Sequence, residues 1–182
     1  MQDSAGTSDS AASSGGSSSL PASSADSSPG NGPDALRVDF YVLEEASSAG
    51  RLKLACRLAE KAYLAAQVAL VWHTDPHELK ELDDLLWTFM DGSFVPHDFL
   101  ISGPIPGASI QETPVLLSAG TPPPRMVDII INLASEVPAC LGQTRRVAEI
   151  IDGDDTRRRA GRARFKAYRD LGIQPASHNV NG

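Results

Sequence analysis

Residues 127–133 read Val-Asp-Ile-Ile-Ile-Asn-Leu. Three consecutive β-branched residues favour an extended backbone over a helix. A short apolar run without polar alternation is the pattern of a strand buried on both faces, as in a parallel sheet. Working outward, residues 68–71, 114–118 (Pro-Val-Leu-Leu-Ser) and 147–151 (Val-Ala-Glu-Ile-Ile) predict three more strands. Arg37–Leu43 alternates and is rich in β-formers, so it predicts the first strand.

Helices alternate with these strands. Residues 52–67 place Leu54, Leu58, Ala62 and Ala65 at the spacing of one buried helical face. Asp75 opens a second helix, with Pro76 in its first turn and Glu78 at the capping-box distance. Leu79, Leu82, Leu85 and Leu86 form its apolar face, to about Trp87. Residues 88–97 mix turn residues with large apolar side chains, residues 103–113 form a Gly/Pro-rich loop, and Pro122-Pro123-Pro124 a stiff connector. The expected fold is a single α/β domain: a parallel or mixed central sheet with helices on both faces, Rossmann-like in pattern.

Arg157 to Gly172 reads Arg-Arg-Arg-Ala-Gly-Arg-Ala-Arg-Phe-Lys-Ala-Tyr-Arg-Asp-Leu-Gly and holds seven of the chain's sixteen Lys and Arg residues. Asp154, Asp155 and Thr156 can cap its start, and Gly172 can stop it. Helical spacing aligns Arg158, Arg162, Phe165 and Arg169 on one side. Ala160, Ala163, Ala167 and Leu171 form the face expected against the sheet. The stretch carries +6, while the rest of residues 37–182 carries −9 and the whole chain −7. A solvated basic face without a role is the simplest reading. A lone basic helix on an acidic body is a poor DNA binder, because most of the surface repels phosphate. It is a good dock for a short acidic peptide, whose carboxylates Arg can grip bidentately.

Residues 1–36 are mostly Ser, Ala, Gly, Asp and Pro, and hold Asp3, Asp9, Asp26 and Asp34 without Lys or Arg. They bury too little apolar surface to offset ordering entropy and predict a disordered tail before a domain at 37–175, with frayed residues 176–182. The tail lacks the basic start and apolar core of a signal peptide. No apolar run approaches the roughly 20 residues of a membrane span. Cys56 and Cys140 stand alone in apolar surroundings, as in a reduced cytoplasmic protein. No GxGxxG follows the first strand, where Glu44-Glu45-Ala46 stands, and no GxxxxGK[ST] or GxSxG occurs. His73, His77, His97 and His178 do not share a metal-ligand spacing on one helix face. Asp83-Asp84 point to different sides of a helix. Neither a catalytic constellation nor a cofactor motif is expected.

Several segments together resemble the chi subunit of bacterial DNA polymerase III. They are residues 38–43 (Val-Asp-Phe-Tyr-Val-Leu), 82–87 (Leu-Asp-Asp-Leu-Leu-Trp), 93–97 (Ser-Phe-Val-Pro-His), 128–133, 147–151 and 162–169 (Arg-Ala-Arg-Phe-Lys-Ala-Tyr-Arg). Their order and spacing cover residues 37–174. The resemblance implies a non-catalytic accessory subunit of the polymerase III holoenzyme in DNA replication, built on a nucleotide-binding-like fold without its phosphate loop. It implies two partners and no strong direct binding of nucleic acid. The acidic C-terminal tail of single-stranded-DNA-binding protein would meet Arg158, Arg162, Phe165 and Lys166, with Ile151 as an apolar wall. A psi subunit or equivalent of the clamp loader would meet Trp87 and Phe94, which could otherwise be core residues. Phe165 stands where a tyrosine is frequent and Arg158 where a lysine is familiar. The N-terminal Ser/Gly tail is additional to the family pattern. The other class of function is an α/β nucleotide-binding protein or enzyme with a degenerate site, which nucleotide titration would separate from an adaptor.

Overall fold

The computed structural model describes residues 35–100 and 112–180. Residues 1–34 of the expected tail, and all but the last two residues of the loop at 103–113, lie outside the described residues. The elements run β1 (Arg37–Leu43), α1 (Ser48–Leu64), β2 (Ala69–Trp72), α2 (Pro76–Leu86), β3 (His97–Leu100), β4 (Val115–Ser118) and β5 (Ile129–Asn132). A single 3₁₀ turn (Leu141–Gln143) then precedes β6 (Arg146–Ile151), α3 (Asp155–Asp170) and β7 (Ala176–Val180). The strands form one seven-stranded sheet in the order β3-β4-β2-β5-β6-β1-β7. Every paired neighbour is parallel.

The sheet is buried on both faces, as its central apolar runs require. Leu54, Ala55, Cys56, Ala59 and Ala62 of α1 and Leu79, Leu82 and Leu86 of α2 pack with Val71, Leu117, Ile131 and Ile150 on one face. Val38, Phe40, Leu70, Leu116, Ile130 and Val147 face the other way, beneath Tyr168 of α3. Burying one such large aliphatic side chain contributes about 1.5–3 kcal/mol. Ala69–Trp72, Ile129–Asn132 and the neighbouring runs thus fold as strands because only a sheet interior hides every side chain.

Two polar networks interrupt this apolar interior. The Glu149 carboxylate, fully buried on β6, accepts from Arg164 Nε (2.7 Å), Tyr168 Oη (2.7 Å) and Asn132 Nδ2 (3.0 Å). Arg164 Nη1 also donates to the Ser135 carbonyl at 3.0 Å. Burial pushes the Tyr168 phenol well above its ordinary range, so its hydroxyl remains a donor to Glu149. The second network joins α1 to α2. Buried Arg51 donates to the Leu133 carbonyl (2.8 Å) and to the Glu78 carboxylate. His73 Nε2 lies 2.7 Å from the same carboxylate, and its Nδ1 accepts from the Asp75 N–H at 2.9 Å. With Nδ1 accepting, Nε2 carries the proton toward Glu78. Burial holds His73 below its ordinary pKa although Glu78 pulls upward. Glu78 is therefore committed to Arg51 and His73, and the reciprocal arm of the expected capping box is made by His73 instead. Asp75 does cap α2, accepting from the His77 N–H at 2.8 Å.

Three expectations change. The C-terminal residues do not fray at 176: Ala176–Val180 is an edge strand paired along β1 from Asp39 to Leu43. Its exposed Ala-Ser-His-Asn sequence lacks an apolar signal because backbone bonds, a His178 contact to Asp39 (3.0 Å) and the Tyr41–His178 ring pair hold it. The strand β3 begins at His97, the last residue of the segment read as mixing turn and apolar residues; with only Leu100 buried it shows no alternation. On α3 the buried residues are Gly161, Arg164 and Tyr168, not the alanine row, and Leu171 is 63% exposed. Partnering by Glu149 makes Arg164 an inward residue, which hydrophobic spacing does not reveal.

Glu149→Ala leaves Arg164 buried without its counter-charge. It should lower the unfolding free energy by about 3–5 kcal/mol, measured by urea denaturation; a loss under about 1 kcal/mol would refute this role. His73 gives a pH signature. Because its native pKa is depressed, the unfolded chain binds more protons below about pH 6.5. Its contribution is complete above that pH and is lost as pH falls. Stability should drop more between pH 7 and 5 in the wild type than in His73→Gln; parallel pH profiles would exclude it.

Candidate partner-binding site

The turn from β6 into α3 sets the site. Asp154 caps α3, accepting from the Arg157 N–H at 2.9 Å, and Asp155 sits in the positive first turn. Asp152 is fully buried just before it. Its carboxylate takes two bonds from Arg157, Nε at 2.6 Å and Nη2 at 2.7 Å, and one from the Ser47 N–H at 3.1 Å. Burial, the strongest single influence, would raise its pKa, but the Arg157 hydrogen bonds, the Asp154 N–H and the charges of Arg157 and Arg51 together hold the group below the usual carboxylate range. Ser47 in turn caps α1 through Gly50 N–H (3.0 Å). One carboxylate thus ties the starts of both helices to the end of β6. Gly153 lets the two turns touch: a Cβ there would lie 2.5 Å from the Glu44 carbonyl oxygen.

From this start α3 runs back over β6 and β1, but β7 extends the sheet beyond it. A groove of about 350 Å³ opens where the sheet outruns the helix. Phe40, Val42 and Ser177 line it from the sheet, Ile151 from β6, and Arg158, Gly161, Arg162 and Phe165 from α3. Phe165 is braced by Phe40, with ring centroids 5.3 Å apart and planes at 56°. Gly161 brings the helix down onto Ile151; a Cβ there would be 2.1 Å from Ile151 Cδ1. Arg158 Nη2 reaches the Glu44 carbonyl at 3.2 Å, while its buried Nε has no acceptor among the described residues. Arg162 is exposed at the groove.

Four of the five side chains expected to bind an acidic peptide, Arg158, Arg162, Phe165 and Ile151, therefore line one groove. Lys166 does not line it; it is 81% exposed and lies 3.7 Å from Asp170. Sequence reading missed Phe40, Val42, Gly161 and Ser177. The alternation of β1 could have nominated Phe40 and Val42 as one row. Nothing local marks Ser177, which arrives through the pairing of β7.

Trp87 and Phe94 form a second feature on the opposite edge. Trp87 caps the C-terminus of α2, and Gly92 at φ +79° turns the chain so that Phe94 comes back to it. The two rings are 5.1 Å apart, and the Trp87 ring is 4.8 Å from His97. Trp87 is 49% and Phe94 62% exposed, with Met90 beside them in sequence at 49%. That exposure rules out a core role for Phe94.

A third feature is a polar crevice of about 250 Å³ at the carboxyl ends of the strands, lined by Arg51, His73, Glu78, Arg157 and Arg164. This is the usual ligand position in such sheets. Here each guanidinium is already held by a carboxylate, Arg51 by Glu78, Arg157 by Asp152 and Arg164 by Glu149. A phosphate would have to displace those carboxylates. Among the described residues no group of His, Cys, Asp and Glu could hold a metal ion, and no helix is long and apolar enough to cross a membrane.

Solved structures with a similar chain path include T4 UvsW (TM-score 0.58, 12% identity, 80% of this chain and 42% of that one). The C-terminal domain of the DEAD-box protein Dbp5 matches with TM-score 0.55, 12% identity, and 80% and 92% coverage. Identities this low speak for the fold alone. At the level of sequence, the chain is 36% identical over 144 residues to DNA polymerase III subunit chi of Pseudomonas aeruginosa, spanning 79% of this chain and 96% of that protein. It is 27% identical over 139 residues to the Escherichia coli subunit of the same name, with 74% and 91% covered. The family model of the DNA polymerase III chi subunit, HolC, matches residues 36–176. The match takes in every strand and helix from β1 to α3, and the chain belongs to the DNA polymerase III chi subunit family, accessory subunits of the replicative polymerase.

Proposed function

We propose that the protein is an adaptor within the DNA polymerase III holoenzyme, with no catalytic site of its own and a cytoplasmic place of action. The α3 groove takes the acidic C-terminal tail of single-stranded-DNA-binding protein, and the Trp87/Phe94 patch takes a psi subunit or its equivalent in the clamp loader. The observation that carries this reading is the convergence of Arg158, Arg162, Phe165 and Ile151 on one groove. Its volume falls in the range of built ligand sites, roughly 300–1,000 Å³.

The chemistry assigns roles. Phe165, Phe40 and Ile151 give an apolar seat for an aromatic side chain. Arg162 is exposed beside that seat and clamps the terminal carboxylate with two parallel bonds. Arg158 supplies a second donor at the groove. Lys166 lies outside and acts by steering acidic residues, which changes association rate and salt dependence. The exposed Trp87, Met90 and Phe94 are aromatic and Met anchors of the kind that dominate interfaces.

Calorimetry tests the groove with a peptide that is acidic, ends in an aromatic residue and has a free carboxylate. Arg162→Ala should cost roughly 1.5–3 kcal/mol, or about ten-fold to a hundred-fold in affinity. Arg162→Lys should recover only part, since an ammonium lacks the planar fork. Amidating the peptide should cost the wild type far more than it costs Arg162→Ala. Equal losses in both proteins would show that Arg162 does not hold the carboxylate, and heat on adding nucleotide instead of peptide would favour the nucleotide-binding alternative.

Phe94→Ala tests the other patch. Being mostly exposed, Phe94 should leave the thermal midpoint nearly unchanged while partner binding weakens by more than about ten-fold. A collapsed midpoint with normal binding by the folded fraction would refute the assignment.

A further inference from the structure

Charge is segregated along this chain. Residues 1–34 hold Asp3, Asp9, Asp26 and Asp34 with no Lys or Arg, while α3 holds seven of the sixteen basic residues. Arg159, Arg162, Lys166 and Arg169 are exposed on α3, and of these only Lys166 has an ion-pair partner among the described residues, Asp170. The acidic segment joins the domain next to this helix. Leu36, at the head of β1, packs into the same apolar cluster as Phe165 and Ile173. Since α3 runs antiparallel to β1, the segment enters beside the Lys166–Arg169 end of the helix, and the groove lies further along.

We propose that residues 1–34 dock, through their aspartates, on the exposed basic face of α3 and so compete with an acidic peptide for the groove. The reach is sufficient. A Gly/Ser-rich segment spans about 5–6 Å times the square root of its length, roughly 17 Å from Ala35 back to Asp26 and 22 Å back to Leu20. Phe40, in the groove floor, is about 10 Å along β1 from Arg37. A tether this short gives an effective concentration in the millimolar range, enough for weak charge contacts to be occupied without high intrinsic affinity. The segment offers no basic residue to repel the helix. The remainder of the domain surface, acidic overall, repels it. Docking is therefore electrostatic and reversible, and salt weakens it. The competition rests on the peptide-binding reading of the groove; the docking itself does not.

The experiment has two arms, both on the full chain. In the first, Leu20→Cys carries a nitroxide label, and amide line broadening is mapped by NMR. Cys56 and Cys140 are buried, with the Cys56 thiol pushed up to about 12, so the label goes to residue 20. Broadening should centre on residues 158–169, and should fall at 0.5 M salt and on replacing Asp3, Asp9, Asp26 and Asp34 with Asn. Broadening of α3 that is the same in the four-Asn variant and at high salt reflects the tether alone and overturns docking. In the second arm, the acidic peptide is titrated into the unlabelled wild type and the four-Asn variant. Exposed contacts of this kind are individually weak, so the variant should bind roughly two- to five-fold tighter at low salt, with the difference vanishing at high salt. Equal affinities overturn the competition. If the peptide binds neither protein, the groove assignment fails, while the broadening still decides the docking.

Discussion

The orientation of α3 rests on one buried carboxylate. Glu149 has no access to water and is held by Arg164, Tyr168 and Asn132. A charge in that position is tolerated only when all its acceptor sites are met. Arg164 and Tyr168 must therefore point at the sheet, and the helix cannot roll about its axis without stranding them. With that phase fixed, Gly161 faces Ile151, Phe165 leans on Phe40, and Arg158 and Arg162 fall at the rim of the groove. Asp152 fixes the other coordinate, the position along the axis, by gripping Arg157 and Ser47 together. Two buried acids thus locate a basic surface.

The sequence made the sheet legible where burial was complete. Residues 129–132 and 147–151 could be read directly because strands covered on both faces have an unmistakable composition. The helix starts were legible through Asp75 and Asp154, whose side chains cap as expected. Edge strands were not, because β3 and β7 are held by ladder bonds that any residue can make. Helix phase was misread for a different reason. Spacing rules count apolar residues, and α3 is turned by an arginine and a tyrosine that answer an acid distant in sequence. Of the groove, the α3 residues were recognisable from the chain, whereas Phe40 and Ser177 come from strands that only the topology brings alongside.

The fold is shared with T4 UvsW and the C-terminal domain of the DEAD-box protein Dbp5 at low identity, and the likeness stops at the chain path. In sheets of this type the carboxyl ends of the strands are the natural place for a phosphate. This chain fills that place with its own ion pairs, and Glu44 and Glu45 stand at the end of β1. Its surface features lie elsewhere: a groove beside β7 and an aromatic patch near β3, at opposite margins of one rigid sheet. A parallel sheet packed on both faces keeps those margins at a fixed separation.

The place of β1 has a consequence for how such a chain acquires its shape. Among the described strands β1 is made before the others, yet its neighbours are β6 and β7, made after the rest. Arg37 waits for Arg146, and Asp39 for Ala176. During synthesis Val38 and Phe40 have no sheet to enter, and both edges of the strand stay open while β2, β4 and β5 can already associate. Long-range parallel pairing of this kind is slow and exposes apolar strand edges to other chains. The groove beside α3, lined from β1, β6 and β7, forms only once these three strands have paired.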